Sequence, residues 1–278
     1  MPLYGRGLSK HFFLPNQTLA GRVTLVLDFS GIRALLDWVH EKGAESLEIA
    51  ALFERVHALC QNLDFVKMHR SIEKEIDPER KRYSQGLNMG YLGYYEPSEV
   101  RVQMTANMRR GRLLRKPGNN AGYTYAYDKN GNLLRIYGPG TPFETLCYSE
   151  NDTKAFVTFD ACYTIWDNLG ILCTTFAKYD PAGDPETILV ASWMSGRDRK
   201  NRNPEVVQVD MDIYQPPENN VQQCCLATLF RHGADLESCL KNKSARIIDR
   251  VTVFYGERGK IVNWDWKREP IVWEDIHG

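Results

Sequence analysis

From Phe29 onward, apolar positions recur at helical spacing. Ile32, Leu35, Leu36 and Val39 line one face, Asp28 or Ser30 is placed to cap the exposed N–H groups, and Gly43 ends the run. A second helix is predicted over about Ala44 to Leu63, where Leu52, Val56, Leu59 and Leu63 repeat at four, three and four. The short connection at Gly43 makes these two an antiparallel pair. Phe65 to Ile76 continues as a third helix before Pro78, and the Gly- and Tyr-rich run Gly86 to Tyr95 reads as a loop or irregular strand.

After Pro97 the period falls to two. Val100, Val102, Met104, Ala106 and Met108 alternate with Arg101, Gln103, Thr105 and Asn107, which predicts a strand with one buried face. Tyr123 to Tyr127 and Leu133 to Tyr137 flank Asp128-Lys129-Asn130-Gly131, whose Asn-Gly supplies the positive φ angles of a tight hairpin. Further strands are predicted over Ala155 to Trp166, Ile171 to Ala177, Thr187 to Met194, Val206 to Tyr214, Ile247 to Tyr255 and Lys260 to Trp266. Asn219 to His232 reads as a helix, with Val221, Cys225, Leu229 and His232 down one side and Gly233 at its end. Consecutive strands with short turns imply an antiparallel meander. The predicted class is therefore α+β. A mainly helical N-terminal unit, residues 1–97, lies beside a long twisted antiparallel β-meander, residues 98–278, or shares one continuous core with it, and one further helix falls near 219–232.

Charge and composition narrow the partners. Lys+Arg and Asp+Glu number 35 each, so the chain lacks the basic excess with which bulk nucleic acid or an anionic membrane is normally met. With 43% hydrophobic residues it is able to bury a real core. The first ten residues carry Arg6 and Lys10 and no apolar stretch of a secretory signal. Seven cysteines, an odd number at irregular spacing without a C-x-x-C, point to reduced thiols and a cytoplasmic setting.

The run Tyr123 to Ile136, with Tyr127-Asp128-Lys129-Asn130-Gly131-Asn132-Leu133 at its centre, resembles a single YD repeat, the Tyr-Asp-x-x-Gly-x-Leu unit of RHS-type bacterial proteins. The likeness covers about fifteen residues, without a second clean copy. It implies a bacterial protein with a meandering sheet, from a toxin or toxin-immunity context, and it implies no chemistry.

The strongest charge feature lies between Val100 and Tyr127, where Arg101, Arg109, Arg110, Arg112, Arg115 and Lys116 occur without an acidic residue. Such a stripe suits a phosphate-bearing ligand or an acidic protein surface, with Tyr95, Tyr123 and Tyr125 available to stack or pack, or it is a solvated connection between strands. Arg197, Arg199, Lys200 and Arg202 form a second basic cluster. Asp210 and Asp212 alternate within a strand, so both carboxylates share a face, an arrangement able to hold Mg²⁺ against substrate phosphates gripped by Arg197 and Arg199. Their alternative is the polar side of a strand. Cys225 with His232 and Cys60 with His57 are more simply core residues than nucleophile and base, the first pair being roughly 10 Å apart on a helix. Trp264 and Trp266 share a strand face and suit a core or an interface. P-loop, dinucleotide and hydrolase motifs do not occur. Two readings follow. The first is a non-catalytic protein-binding protein with an acidic partner and no cofactor or metal, most concretely a toxin-neutralising immunity protein. The second is a metal-dependent nucleotidyl or phosphoryl transferase using Asp210 and Asp212.

Overall fold

The computed structural model describes residues 27–61, 63–84, 90–106, 110–118, 122–138, 143–160, 171–194, 205–230, 243–269 and 272–275. Three helices come first: α1 (Phe29–Ser46), α2 (Ile49–Cys60) and α3 (Phe65–Glu75). The Asp28 carboxylate accepts from Gly31 N and caps α1, Asp64 caps α3 in the same way, and Gly43 breaks the helical path of α1 at φ +69°. After β1 (Ile76–Ser84), a single turn of 3₁₀-helix at Gly93–Tyr95 leads into α4 (Glu99–Ala106). The remaining strands are β2 (Leu113–Leu114), β3 (Thr124–Asp128), β4 (Leu133–Tyr137), β5 (Phe143–Glu150), β6 (Thr153–Asp160), β7 (Ile171–Tyr179), β8 (Pro185–Met194), β9 (Glu205–Tyr214), β10 (Val221–Phe230), β11 (Lys243–Tyr255), β12 (Ile261–Arg268) and β13 (Val272–Asp275).

All the strands join one antiparallel sheet in the order β12-β11-β10-β9-β8-β7-β6-β5-β4-β3-β1-β2, with β13 pairing β11 beyond the end of β12. From β3 to β12 every strand lies beside its neighbour in sequence, so the α+β class with N-terminal helices and a long meander holds. The first strand, on the helical side of the expected boundary at residue 97, pairs β3 and belongs to the sheet. No helix among the described residues is long and apolar enough to cross a membrane.

Two predicted elements change type, each for a physical reason, and β1 and β5 have no predicted counterpart. Residues 221–230 form a strand, not the expected helix near 219–232, and are registered residue by residue between β9 and β11. Val221, Cys225 and Leu229 are spaced by four, which places them on one side of a strand as well as one side of a helix. Asn219 and Asn220, at φ +50° and +64°, make the two-residue turn between Glu218 and Val221 in the connection from β9 to β10. Conversely, Asn107 and Met108 of the expected strand lie outside the described residues, and Val100 to Ala106 form the helix α4. Its alternation is incidental: Val100 and Met104, four apart, are the residues that pack on the sheet.

Both faces of the sheet are apolar. On one, α1 to α3 bury Ile32, Leu36, Val39, Leu52, Val56 and Phe65 against Val157, Phe176, Leu189, Val209, Met211 and Leu229 in a single cluster. Arg246 on β11 fastens this layer, donating from Nη1 to Glu45 O at 2.5 Å and from Nη2 to Leu47 O. On the other face, odd and even positions exchange roles, and two clusters form around Tyr125 and around Leu226. Central strands buried on both sides therefore read as apolar runs instead of alternations, as in Ile188 to Ala191. Leu36 is fully buried between α1 and the sheet, so Leu36→Ala is expected to lower the unfolding free energy in a urea titration by about 2–5 kcal/mol. A loss below about 1 kcal/mol would mean that the helices do not pack tightly on this face.

Candidate functional site

The second face of the sheet is covered by residues 90–106, which run across it as a strap. Gly93 allows the strap to lie close: its φ is +57°, and a Cβ there would meet Tyr125 Oη at 2.4 Å and Tyr123 Cδ2 at 2.5 Å. The tyrosines of β3 and its approach hold the strap by hydrogen bonds. Tyr94 N donates to Tyr125 Oη at 2.7 Å, the hydroxyls of Tyr95 and Tyr127 share a bond of 2.7 Å, and Tyr123 Oη donates to Gly90 O. Tyr123 and Tyr125, offered either to stack on a partner beside the cations or to pack, are buried core residues at 9% and 0% exposure.

At its far end the strap is anchored by Arg101. The guanidinium lies over β9 and β10 and donates to Asp212 Oδ1 from Nε at 2.7 Å and from Nη2 at 2.5 Å. Nη2 also reaches Met211 O at 3.0 Å and Ala227 O at 2.9 Å, and Nη1 reaches Thr228 Oγ1 at 3.0 Å. Asp210 and Asp212 do share one face, as alternation requires, and Arg101 bridges them, with Nη1 3.6 Å from Asp210 Oδ1. Their remaining oxygens are also occupied. Thr228 Oγ1 donates to Asp210 Oδ1 at 2.6 Å, Gln208 Nε2 to Asp210 Oδ2 at 2.9 Å, and Tyr214 Oη to Asp212 Oδ2 at 3.3 Å. Burial opposes a charged Arg101, yet the adjacent Asp212 and Asp210 charges raise its pKa above the ordinary arginine value. Every carboxylate oxygen of the pair thus accepts from a protein donor, and a guanidinium stands where a bound cation would have to stand.

More ionisable groups gather under the strap. Burial pushes the Glu96 carboxyl up to about 7, the Asp212 charge adds to this, and the bond from Ser98 N and the Arg110 and Arg101 charges oppose it. Burial lowers Lys154 to about 8, helped by repulsion from Arg110, and its ammonium lies 4.2 Å above the Tyr179 ring. Arg110, expected as part of an open basic stripe, turns inward: Nη2 donates to Glu96 O at 3.0 Å and pairs with Glu99 at 3.2 Å. The thiols are quiet. Burial raises Cys173 and Cys60 to about 12 and Cys225 to about 11, so all three stay protonated and weakly nucleophilic near neutrality. A cavity of about 250 Å³ opens at the other end of the strap, lined among the described residues by Gly90, Tyr91, Tyr123, Gly138 and Phe143, none of them acidic or basic.

The exposed cations lie elsewhere. Arg112, Arg115 and Lys116 flank β2 and face solvent, as do Arg80, Lys81 and Arg82 on the adjacent β1. Arg109, Arg197 and Arg199 lie outside the described residues. The β1 cations escape notice in the sequence because they follow the predicted helix over Phe65 to Ile76 without an alternation of apolar and polar residues that would mark a strand. Only the break at Pro78 marks the change. Glu96 and Lys154 carry no sequence signal beyond a charge among aromatic and apolar neighbours. Comparisons with protein-family models, with curated proteins and with solved structures return no match.

Glu96 yields a pH dependence. Its folded pKa of about 7 stands above the ordinary 4.5, so the folded state holds this proton more tightly than the unfolded chain does. The contribution is fully present below about pH 4.5 and is lost as pH rises through 7, a change on the order of 3 kcal/mol. Glu96→Gln is expected to flatten this slope in urea titrations taken between about pH 4.5 and 7.5. Parallel profiles for the two proteins would show that Glu96 ionises normally.

Proposed function

We propose that this is a non-catalytic protein-binding protein that grips an acidic protein surface at the β1–β2 edge of its sheet. A toxin-neutralising immunity protein is the most concrete form, extending the likeness of residues 123–137 to a YD repeat. The observation that carries the reading is the grouping of exposed cations at this edge. The ladder Tyr83↔Leu114 and Ser84↔Leu113 brings Arg80, Lys81 and Arg82 together with Arg112, Arg115 and Lys116. Arg82 directly precedes Tyr83, and Arg115 directly follows its partner Leu114, so like charges lie close at this edge and repel. The carboxylates of an acidic partner relieve this repulsion and gain charge-assisted bonds from the arginine forks. In a chain of zero formal net charge, this local excess steers association toward one face.

The filled donor set around Asp210 and Asp212 supports the non-catalytic reading over a metal-dependent transferase, because Mg²⁺ would have to displace Arg101 and leave a guanidinium buried without its counter-charge. Capture of the partner from extracts of the source cell should weaken at least about tenfold for Arg112→Glu with Arg115→Glu, and capture by the wild type should fall with rising salt. Both sites are exposed, so the melting temperature should move by no more than about 2 °C. Undiminished capture by the variant would remove this edge from the interface. A Mg²⁺-dependent rise in melting temperature that Asp210→Asn abolishes would favour the transferase.

A further inference from the structure

We propose that β12, at the opposite end of the sheet, is a homodimerisation edge that pairs antiparallel with β12 of a second copy of this chain, centred on Trp266. The two outer edges are built differently. At the other end β2 covers only Tyr83 and Ser84 of β1, and the rest of β1 carries Pro78, which has no N–H, and a run of exposed charges, features that discourage further strand pairing. β12 presents Val262 at 64% and Trp266 at 51% exposure, the most exposed of the large hydrophobic side chains among the described residues. An unprotected edge bearing large apolar groups is a template for another strand.

Backbone bonding limits which registers are possible. Glu269 N donates to Ile248 O at 2.8 Å, in the register that also pairs Asp249 with Arg268 and Val251 with Trp266. Odd-numbered residues of β12 therefore turn their N–H and C=O toward β11, and Trp264, Trp266 and Arg268 turn theirs outward. An antiparallel partner must oppose outward residues to outward residues, so a two-fold pairing has its axis on a residue. An axis on Asp265 or on Lys267 brings identical charges together at the closest Cα spacing, about 4.5 Å. An axis on Trp264 opposes Arg268 to the partner's Lys260.

The axis on Trp266 has none of these faults. It sets Asp265 opposite the partner's Lys267, twice by symmetry and at the closer spacing. It also pairs Trp266 with its own copy and lays Trp264 against the partner's Arg268, with reciprocal backbone bonds at each of these outward pairs. Asp265 and Lys267 are both exposed, and no ion pair within the chain engages either of them among the described residues. The strand is thus self-complementary in shape of bonding, in apolar surface and in charge. The partner it fits is a second copy, and the product is one sheet running continuously through two molecules.

The test is sedimentation equilibrium of the full chain from about 1 to about 200 μM, with circular dichroism to establish folding. A reversible dimer is expected for the wild type. Asp265→Lys and Lys267→Asp should each weaken it at least about tenfold, because each places like charges in two symmetric pairs. The double variant carrying both exchanges restores opposite charges in this register alone and should return to within about threefold of the wild type. A wild type that stays monomeric across the range overturns the proposal. So does a dimer that ignores the single reversals, or one that the double exchange fails to rescue.

Discussion

A broad antiparallel sheet with apolar residues on both faces has to be covered twice. The first cover consists of three consecutive amphipathic helices. The second is only a strap with one short helix, and its attachment depends on the Arg101 guanidinium lying across Asp210 and Asp212. An α-helix of eight residues is too short to hold itself in water. It persists because the guanidinium hydrogen-bonds one carboxylate, two backbone carbonyls and a hydroxyl at once and lies 3.6 Å from a second carboxylate. With this anchor in place Val100 and Met104 close over Leu226 and Val253, and the strap lowers Glu96 into the interior, where burial raises its proton affinity.

The same constraint explains what the sequence disclosed. The N-terminal helices were legible because their polar side faces water and their apolar spacing is unambiguous. The Asp128 hairpin was legible because its turn is local: the Asp128 carboxylate accepts from Asn130 N and Asn132 N at 2.8 Å each, and Gly131 takes φ +90°. The strand at Val221–Phe230 was hidden, since burial on both faces removes the period-two contrast and leaves a four-residue spacing that fits a helix equally well. The helix at Glu99–Ala106 was hidden by chance alternation in a segment too short to show its true period.

The candidate site was legible only in part. Alternation correctly placed Asp210 and Asp212 on one face, but their partner lies more than a hundred residues earlier, and no local pattern names a contact of that range. The basic stripe separated into unlike members: Arg101 and Arg110 turned inward to carboxylates, and Arg112, Arg115 and Lys116 stayed in solvent. Composition alone does not distinguish these fates, because they depend on which backbone carbonyls and carboxylates the fold brings within reach. The two ends of the sheet then differ, one carrying Pro78 and a group of exposed cations, the other exposing Val262 and Trp266.

The most direct measurement of this account is a double-mutant cycle at the anchor, using Arg101→Met, Asp212→Leu and the two together, read by urea unfolding. Each single change leaves a buried charge without its partner and should cost about 3–5 kcal/mol. The pair of changes should cost no more than either alone, giving a coupling of at least about 2 kcal/mol. Single losses that are small, or that add within about 0.5 kcal/mol, would contradict the claim that this ion pair fastens the second cover of the sheet.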